Sequence, residues 1–244
     1  MIQFFLDSFR WIVRNELVCV GLLLAITLGT WGFISIAQEV LEGDIHETDQ
    51  KILMSMRTAG DPTDPLGPSW FEEMARDITA LGSVAVLMIF TMTMAAYLYF
   101  AKQHWIALFV VSAVLSGALV STLMKSGFDR PRPDLVPHGT RVYTKSFPSG
   151  HSAMSSLVYL TLGALLARAE PNRKTRALLL VVPLCLMVIV GASRVYLGVH
   201  WPTDVIAGWA FGVSWAAASW LILRTLERHY HLPVETTRDH SLDT

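Results

Sequence analysis

An all-α bundle of six transmembrane helices is the fold class this sequence predicts, and three observations carry it. Of the 244 residues, 52% are hydrophobic and 16% are charged, against roughly 25% charged in soluble domains. The apolar residues fall in long uninterrupted blocks, which excludes an ordinary soluble core. Six of these blocks approach the roughly 20 residues that a helix needs to cross the hydrocarbon core of a bilayer. The formal net charge of −1 gives no reason to expect a nucleic-acid partner. Cys19 and Cys185 both sit inside apolar blocks, where a thiol behaves as a small hydrophobe, so no disulfide framework is expected.

The first span, Leu17–Ala37, follows Arg10 and Arg14. Its apolar run exceeds the 7–15 residues of a signal-peptide core, so Ser35-Ile36-Ala37 reads as part of a retained anchor. Residues 38–81 then form a first outer loop too long for a plain connector. Within it Ile45, Ile52, Leu53 and Met56 share one helical face, as do Phe71, Met74 and Ile78. Asp61-Pro62, Asp64-Pro65 and Gly67-Pro68 mark turns between them. Two short amphipathic helices on the outer membrane surface are expected, serving as a cap on the bundle or as a gate. The remaining spans are Gly82–Ala101, Trp105–Met124, Ser152–Ala167, Ala177–Gly191 and Val205–Leu223. Gly208, Gly212 and Ala216 make a small-residue seam on the last, suited to close packing within the bundle. Trp11, Trp105, Trp201 and Trp220 lie near block ends, where indoles anchor at the interface. Residues 1–227 thus form one six-span unit, and 228–244 a polar cytoplasmic tail.

No span contains Asp, Glu, Lys, Arg or His. Ion pathways place ionisable groups at membrane depth, so an ion pump is disfavoured and the chemistry is left to the loops. Basic residues orient the bundle. With a cytoplasmic N-terminus, the inside holds Arg10, Arg14, Lys102, Arg168, Arg173, Lys174, Arg176, Arg224, Arg228 and Arg238, ten of the 19. Of the rest, five crowd the single loop from Lys125 to Lys145. Both termini are expected inside.

That topology gathers three clusters at one outer end. Lys125 ends the third span and Arg132-Pro133 follows it. Pro148-Ser149-Gly150-His151 opens the fourth; Ser193-Arg194 closes the fifth; His200 and Asp204 open the sixth. Lys125, Arg132 and Arg194 suit an oxyanion of two or more charges. Ser149 and Gly150 begin a helix, where free N–H groups and the positive dipole end also favour an anion. Phosphate is the natural ligand. His200 and Asp204, four apart, put a carboxylate on the imidazole's face, leaving one ring nitrogen as an oriented nucleophile. His151, from another span, is free to move protons. A third metal ligand besides Asp204 is missing, and three adjacent cations would repel a metal, so no metal or cofactor is expected. The other six histidines read as surface residues, and Arg130, Arg141 and Lys145 as cations answering anionic headgroups.

K-x6-R-P (Lys125, Arg132, Pro133), P-S-G-H (Pro148 to His151) and S-R-x5-H-x3-D (Ser193, Arg194, His200, Asp204) resemble the three-part signature of the type 2 phosphatidic acid phosphatase superfamily. Eleven specified residues in order are far more specific than a short motif. The resemblance implies metal-independent cleavage of phosphate monoesters or pyrophosphates through a phosphohistidine. By position, His200 would be the nucleophile, Asp204 its orienter and His151 the acid and base. Lys125, Arg132, Ser149, Gly150 and Arg194 would hold the phosphate oxygens.

Within that superfamily, soluble vanadate-dependent haloperoxidases are disfavoured by the six spans, and a non-catalytic scaffold by the intact nucleophile, orienter and acid/base. A lipid phosphotransferase, which uses an alcohol in place of water, shares the same pocket and is the alternative. The expected enzyme is a lipid phosphate phosphatase on the outer face of a bacterial plasma membrane, and its expected partner is a phospholipid or polyprenyl phosphate. The absence of an N-x-S/T sequon fits that source. Phosphatidic acid, phosphatidylglycerol phosphate, undecaprenyl pyrophosphate and lipid A phosphates are candidate substrates. Oligomeric state is open.

Overall fold

The structure is a computed structural model describing the backbone of residues 2–43, 46–134 and 144–230, with side chains from residue 16 to 229 of those ranges. Ile45, His138, Arg141 and the tail from residue 231 lie outside the described residues, as do the side chains of Arg10, Trp11 and Arg14. The elements in order are α1 (Ile2–Glu42), α2 (His46–Met54), β1 (Arg57–Thr58), β2 (Asp61–Pro65), α3 (Ser69–Ala80), α4 (Val84–Phe100), α5 (His104–Gly127), α6 (Gly150–Ala169), α7 (Arg173–Tyr196) and α8 (Pro202–Tyr230).

All six expected spans are helical, and the chain is a multi-pass membrane protein. Residues Glu16–Glu42 of α1, together with α5, α6, α7 and α8, are each long and apolar enough to cross a membrane. The sixth, α4, has 17 residues, at the short end of the spanning range. It starts later than the apolar block because the Leu81-Gly82-Ser83 turn separates it from α3, bending the pair by 47°. Small polar residues start three of the helices. The Ser83 side chain accepts from Val86 N, Ser149 from Ser152 N, and Asn172 from Lys174 N and Thr175 N. These bonds satisfy first-turn N–H groups that have no partner within the helix.

The most buried span is α6. Leu157, Val158 and Leu162 pack with Leu87 and Leu98 of α4 and Val110 of α5. The small-residue seam of α8 meets α6 backbone to backbone. A Cβ on Gly208 would stand 2.7 Å from the Ser149 carbonyl oxygen, and one on Gly212 would stand 2.5 Å from that of Ala153. The seam therefore packs within the bundle, as expected.

The segment after the first span differs from expectation in two ways. Helix α1 continues through Glu42, so the connection is shorter than 38–81. Its two expected helices are present as α2 and α3, but a short antiparallel hairpin joins them. Asp61-Pro62 and Asp64-Pro65 both fall in β2, because proline is tolerated on an edge strand that needs few N–H donors. Of the two expected roles, a cap on the bundle is the one the packing matches, since both helices pack on the bundle end. Leu53 of α2 is fully buried against Val195, Trp201 and Val205, and Ala75 of α3 against Tyr196, Leu197 and Val199. The segment is a cap. At the other end of the chain, α8 runs through Tyr230, past the boundary expected at 227.

Candidate active site

Two helix ends explain the spacing in S-R-x5-H-x3-D. At the end of α7, Gly198 N donates to Val195 O at 2.9 Å and Val199 N to Arg194 O at 3.2 Å. Gly198 has φ +69°, which glycine adopts without a Cβ penalty. This is a Schellman ending, and it turns the chain so that His200 comes back over the last turn, where Arg194 sits. At the start of α8, Pro202 occupies the first helical position. The Asp204 side chain reaches back to the Trp201 N–H at 3.0 Å, the acidic half of a capping box.

The His200 side chain is buried, 1% exposed, and Asp204 is 0% exposed. His200 Nδ1 lies 3.2 Å from Asp204 Oδ2, and Arg132 Nη1 lies 3.1 Å from His200 Nε2. A guanidinium only donates, so the tautomer satisfying both contacts carries its proton on Nδ1 and a lone pair on Nε2. Burial pushes the His200 imidazole well below its ordinary pKa, and Arg132 and Arg194 add to that, while Asp204 opposes it. The ring is thus held neutral. Asp204 is itself fixed from several sides. Its Oδ2 also accepts from the Ser146 hydroxyl, and its Oδ1 accepts from Arg130 Nη1 at 2.6 Å.

The expected phosphate ligands surround the same point. Arg132 donates to Thr144 O at 2.8 Å and Val199 O at 2.7 Å, which braces its guanidinium beside His200. Burial lowers its pKa, with Asp204 opposing. Arg194 is 4% exposed and donates through Nη1 to Thr79 Oγ1 at 3.0 Å; its Nε is buried without a hydrogen-bond partner. Lys125 Nζ donates to Lys145 O at 3.2 Å and its side chain lies along Gly150, within 3.5 Å of where a Cβ would stand. His151, in the first turn of α6, is within electrostatic reach of Arg194, His200, Lys125 and Arg132. Ser149 departs in one respect from the free N–H expected of it. Its backbone N–H donates to Asp204 O at 3.0 Å and its hydroxyl caps α6. The chain from α8 thus occupies that first position.

Several residues were missed. Arg130, read as a headgroup contact, is a part-buried link between Asp204 and Asp49. Asp49, from α2, is 0% exposed. Thr79 of α3 holds Arg194. None of the three carries a local signal: Asp49 reads as one more acid in an acidic loop, and its partners are distant in sequence.

The family model described as PAP2 superfamily matches residues 105–228. A phosphatidylglycerophosphatase B of Bacillus subtilis is 32% identical over 145 residues, covering 59% of this chain and 71% of that one. A lipid A 1-phosphatase of Rhizobium etli is 30% identical over 117 residues, covering 44% of this chain and 46% of that protein. An undecaprenyl-diphosphatase of Sulfolobus acidocaldarius is 32% identical over 146 residues, covering 60% and 64%. Among solved structures, a transmembrane PAP2-type phosphatidylglycerolphosphate phosphatase from Bacillus subtilis superposes with a TM-score of 0.76 at 25% identity, over 84% of this chain and 98% of that one.

Proposed function

Since this chain belongs to the PAP2 superfamily, we propose that it is a lipid phosphate phosphatase that hydrolyses a phosphate monoester or pyrophosphate through a phosphohistidine, without a metal. The observation that carries the proposal is the placement of His200 between Asp204 on Nδ1 and Arg132 on Nε2. One nitrogen is fixed by a carboxylate, and the other points its lone pair toward a cation that would hold a phosphate oxygen.

In the first step Nε2 bonds to phosphorus as the bond from phosphorus to the leaving oxygen breaks. His151 gives that oxygen its proton. Asp204 stabilises the positive charge that grows on the imidazole. Lys125, Arg132 and Arg194 neutralise the equatorial oxygens, and the orphaned Arg194 Nε–H is a donor an oxyanion would satisfy. In the second step His151 takes a proton from water, the oxygen of which displaces His200 and releases phosphate. The relatives' named substrates support a phospholipid, lipid A or polyprenyl headgroup as the source of that phosphate.

The site is proposed to face the outside of a bacterial plasma membrane. Lys102, Arg168, Arg173, Lys174, Arg176, Arg224 and Arg228 lie toward the opposite end of the bundle, which supports that orientation through the positive-inside bias.

The test is phosphate release by purified protein in detergent from phosphatidic acid, phosphatidylglycerol phosphate, undecaprenyl pyrophosphate and lipid A, with and without EDTA. Release from at least one lipid, unaffected by chelator, is expected. Activity that requires added Mg²⁺ would overturn the metal-free mechanism, and no release from any of the four would overturn the function.

A further inference from the structure

Asp49 lies in α2, far from the signature, yet its carboxylate is fully buried. Burying a carboxylate is costly, and a buried ion pair is weak evidence for stability on its own. What Asp49 holds is therefore informative. Its Oδ1 accepts from the Thr203 backbone N–H at 3.0 Å, and its Oδ2 accepts from Thr203 Oγ1 and Arg130 Nη2, each at 2.5 Å. Arg130 Nη1 in turn donates to Asp204 Oδ1 at 2.6 Å and to Thr203 Oγ1 at 2.8 Å. Trp201, the residue before α8, has no side-chain acceptor with which to cap the helix. Asp49 supplies that acceptor from across the fold, bonding an N–H that an N-cap residue would ordinarily take. The first turn it caps is the one that carries Asp204.

We propose that Asp49 is a positioning residue for phosphoryl transfer, reaching from the cap to hold Arg130 and the start of α8 so that Asp204 presents Oδ2 to His200. The inference rests on the reading of His200 as nucleophile. Charge gives the reason for two carboxylates around one guanidinium. With Asp204 alone, Arg130 would neutralise the carboxylate that must answer the imidazolium growing on His200. With Asp49 sharing Arg130, the three groups together keep a net negative charge beside that ring. The contacts of Asp49 run to Thr203 and Arg130, not to Lys125, Arg132 or Arg194, so its removal should spare affinity for the phosphate group.

The test is steady-state kinetics on the full chain with the lipid phosphate that wild type hydrolyses. Asp49→Asn is expected to lower kcat by about 10- to 100-fold, the loss found when a group that orients a reactive side chain through a hydrogen bond is removed, with KM unchanged. Asp204→Asn alone should cost about 10⁴ in turnover. Adding Asp49→Asn to it should cost little more, because the effect passes through a carboxylate already lost. A merely structural role would move the thermal midpoint and leave the two losses independent, so full additivity would overturn the proposal. Should Asp49→Asn fail to elute as a folded species, Thr203→Val decides. It removes the hydroxyl shared by Asp49 and Arg130 while leaving every charge in place, and should lower kcat at constant KM. An active wild type with wild-type kcat in the folded variants would overturn this inference alone, whereas an inactive wild type would overturn the proposed function and this inference with it.

Discussion

At the scale of single residues, the two site histidines have different surroundings, and so different failures are expected. His200 is clamped on both nitrogens, whereas His151 stands on a separate helix among cations. His200→Ala should abolish turnover and covalent labelling together. His151→Ala removes the proton donor for the leaving oxygen and the base for water. With p-nitrophenyl phosphate the leaving group needs little acid assistance, so a phosphoenzyme should form and persist. Rapid quenching without acid, using ³²P-labelled substrate, should show a band in His151→Ala and none in His200→Ala. The reverse pattern would exchange the two roles, and labelling in neither would indicate direct attack by water.

At the scale of elements, the site depends on how closely α6 and α8 approach, since one carries His151 and the other Asp204. Gly208 lies one turn beyond Asp204, and a Cβ there would also stand 2.8 Å from Ser152 Cβ. No flexible side-chain end is available to yield, so Gly208→Ala must move backbone. Overpacking of this kind costs about 1–3 kcal/mol, and it should lower both the thermal midpoint in detergent and kcat. Gly21 and Gly32 of α1 have nothing within 4 Å of where a methyl group would stand, so alanine there should leave activity intact. Equal losses at Gly208 and Gly21 would mean that glycine itself, rather than the α6–α8 contact, is what matters.

At the scale of the whole molecule, the motif ends of α5, α6, α7 and α8 and the α2–α3 cap share one end of the bundle, and the Arg168–Glu227 pair at 2.7 Å marks the other. If the site end faces outward, an impermeant thiol reagent applied to intact cells should label Ala59→Cys, at the exposed tip of the hairpin, and spare Pro171→Cys in the α6–α7 turn. Cys19 and Cys185 would first be replaced. Labelling at Pro171→Cys with protection at Ala59→Cys would reverse the orientation.

Span positions, the gathering of three motifs and the α8 seam were all legible along the chain, because each depends on local properties. An apolar run of sufficient length must be helical in lipid, and successive spans that cross in opposite directions bring alternate ends together. The spacing from Arg194 to His200 was visible as a pattern, but its cause, a Schellman turn at Gly198, emerges only in the folded backbone. The partnership of Asp49 with Arg130 and Thr203 had no local trace. An acid in an acidic loop and an arginine beside a motif each look solvated in sequence, and only the docking of α2 on α8 removes them from water and makes them answer one another.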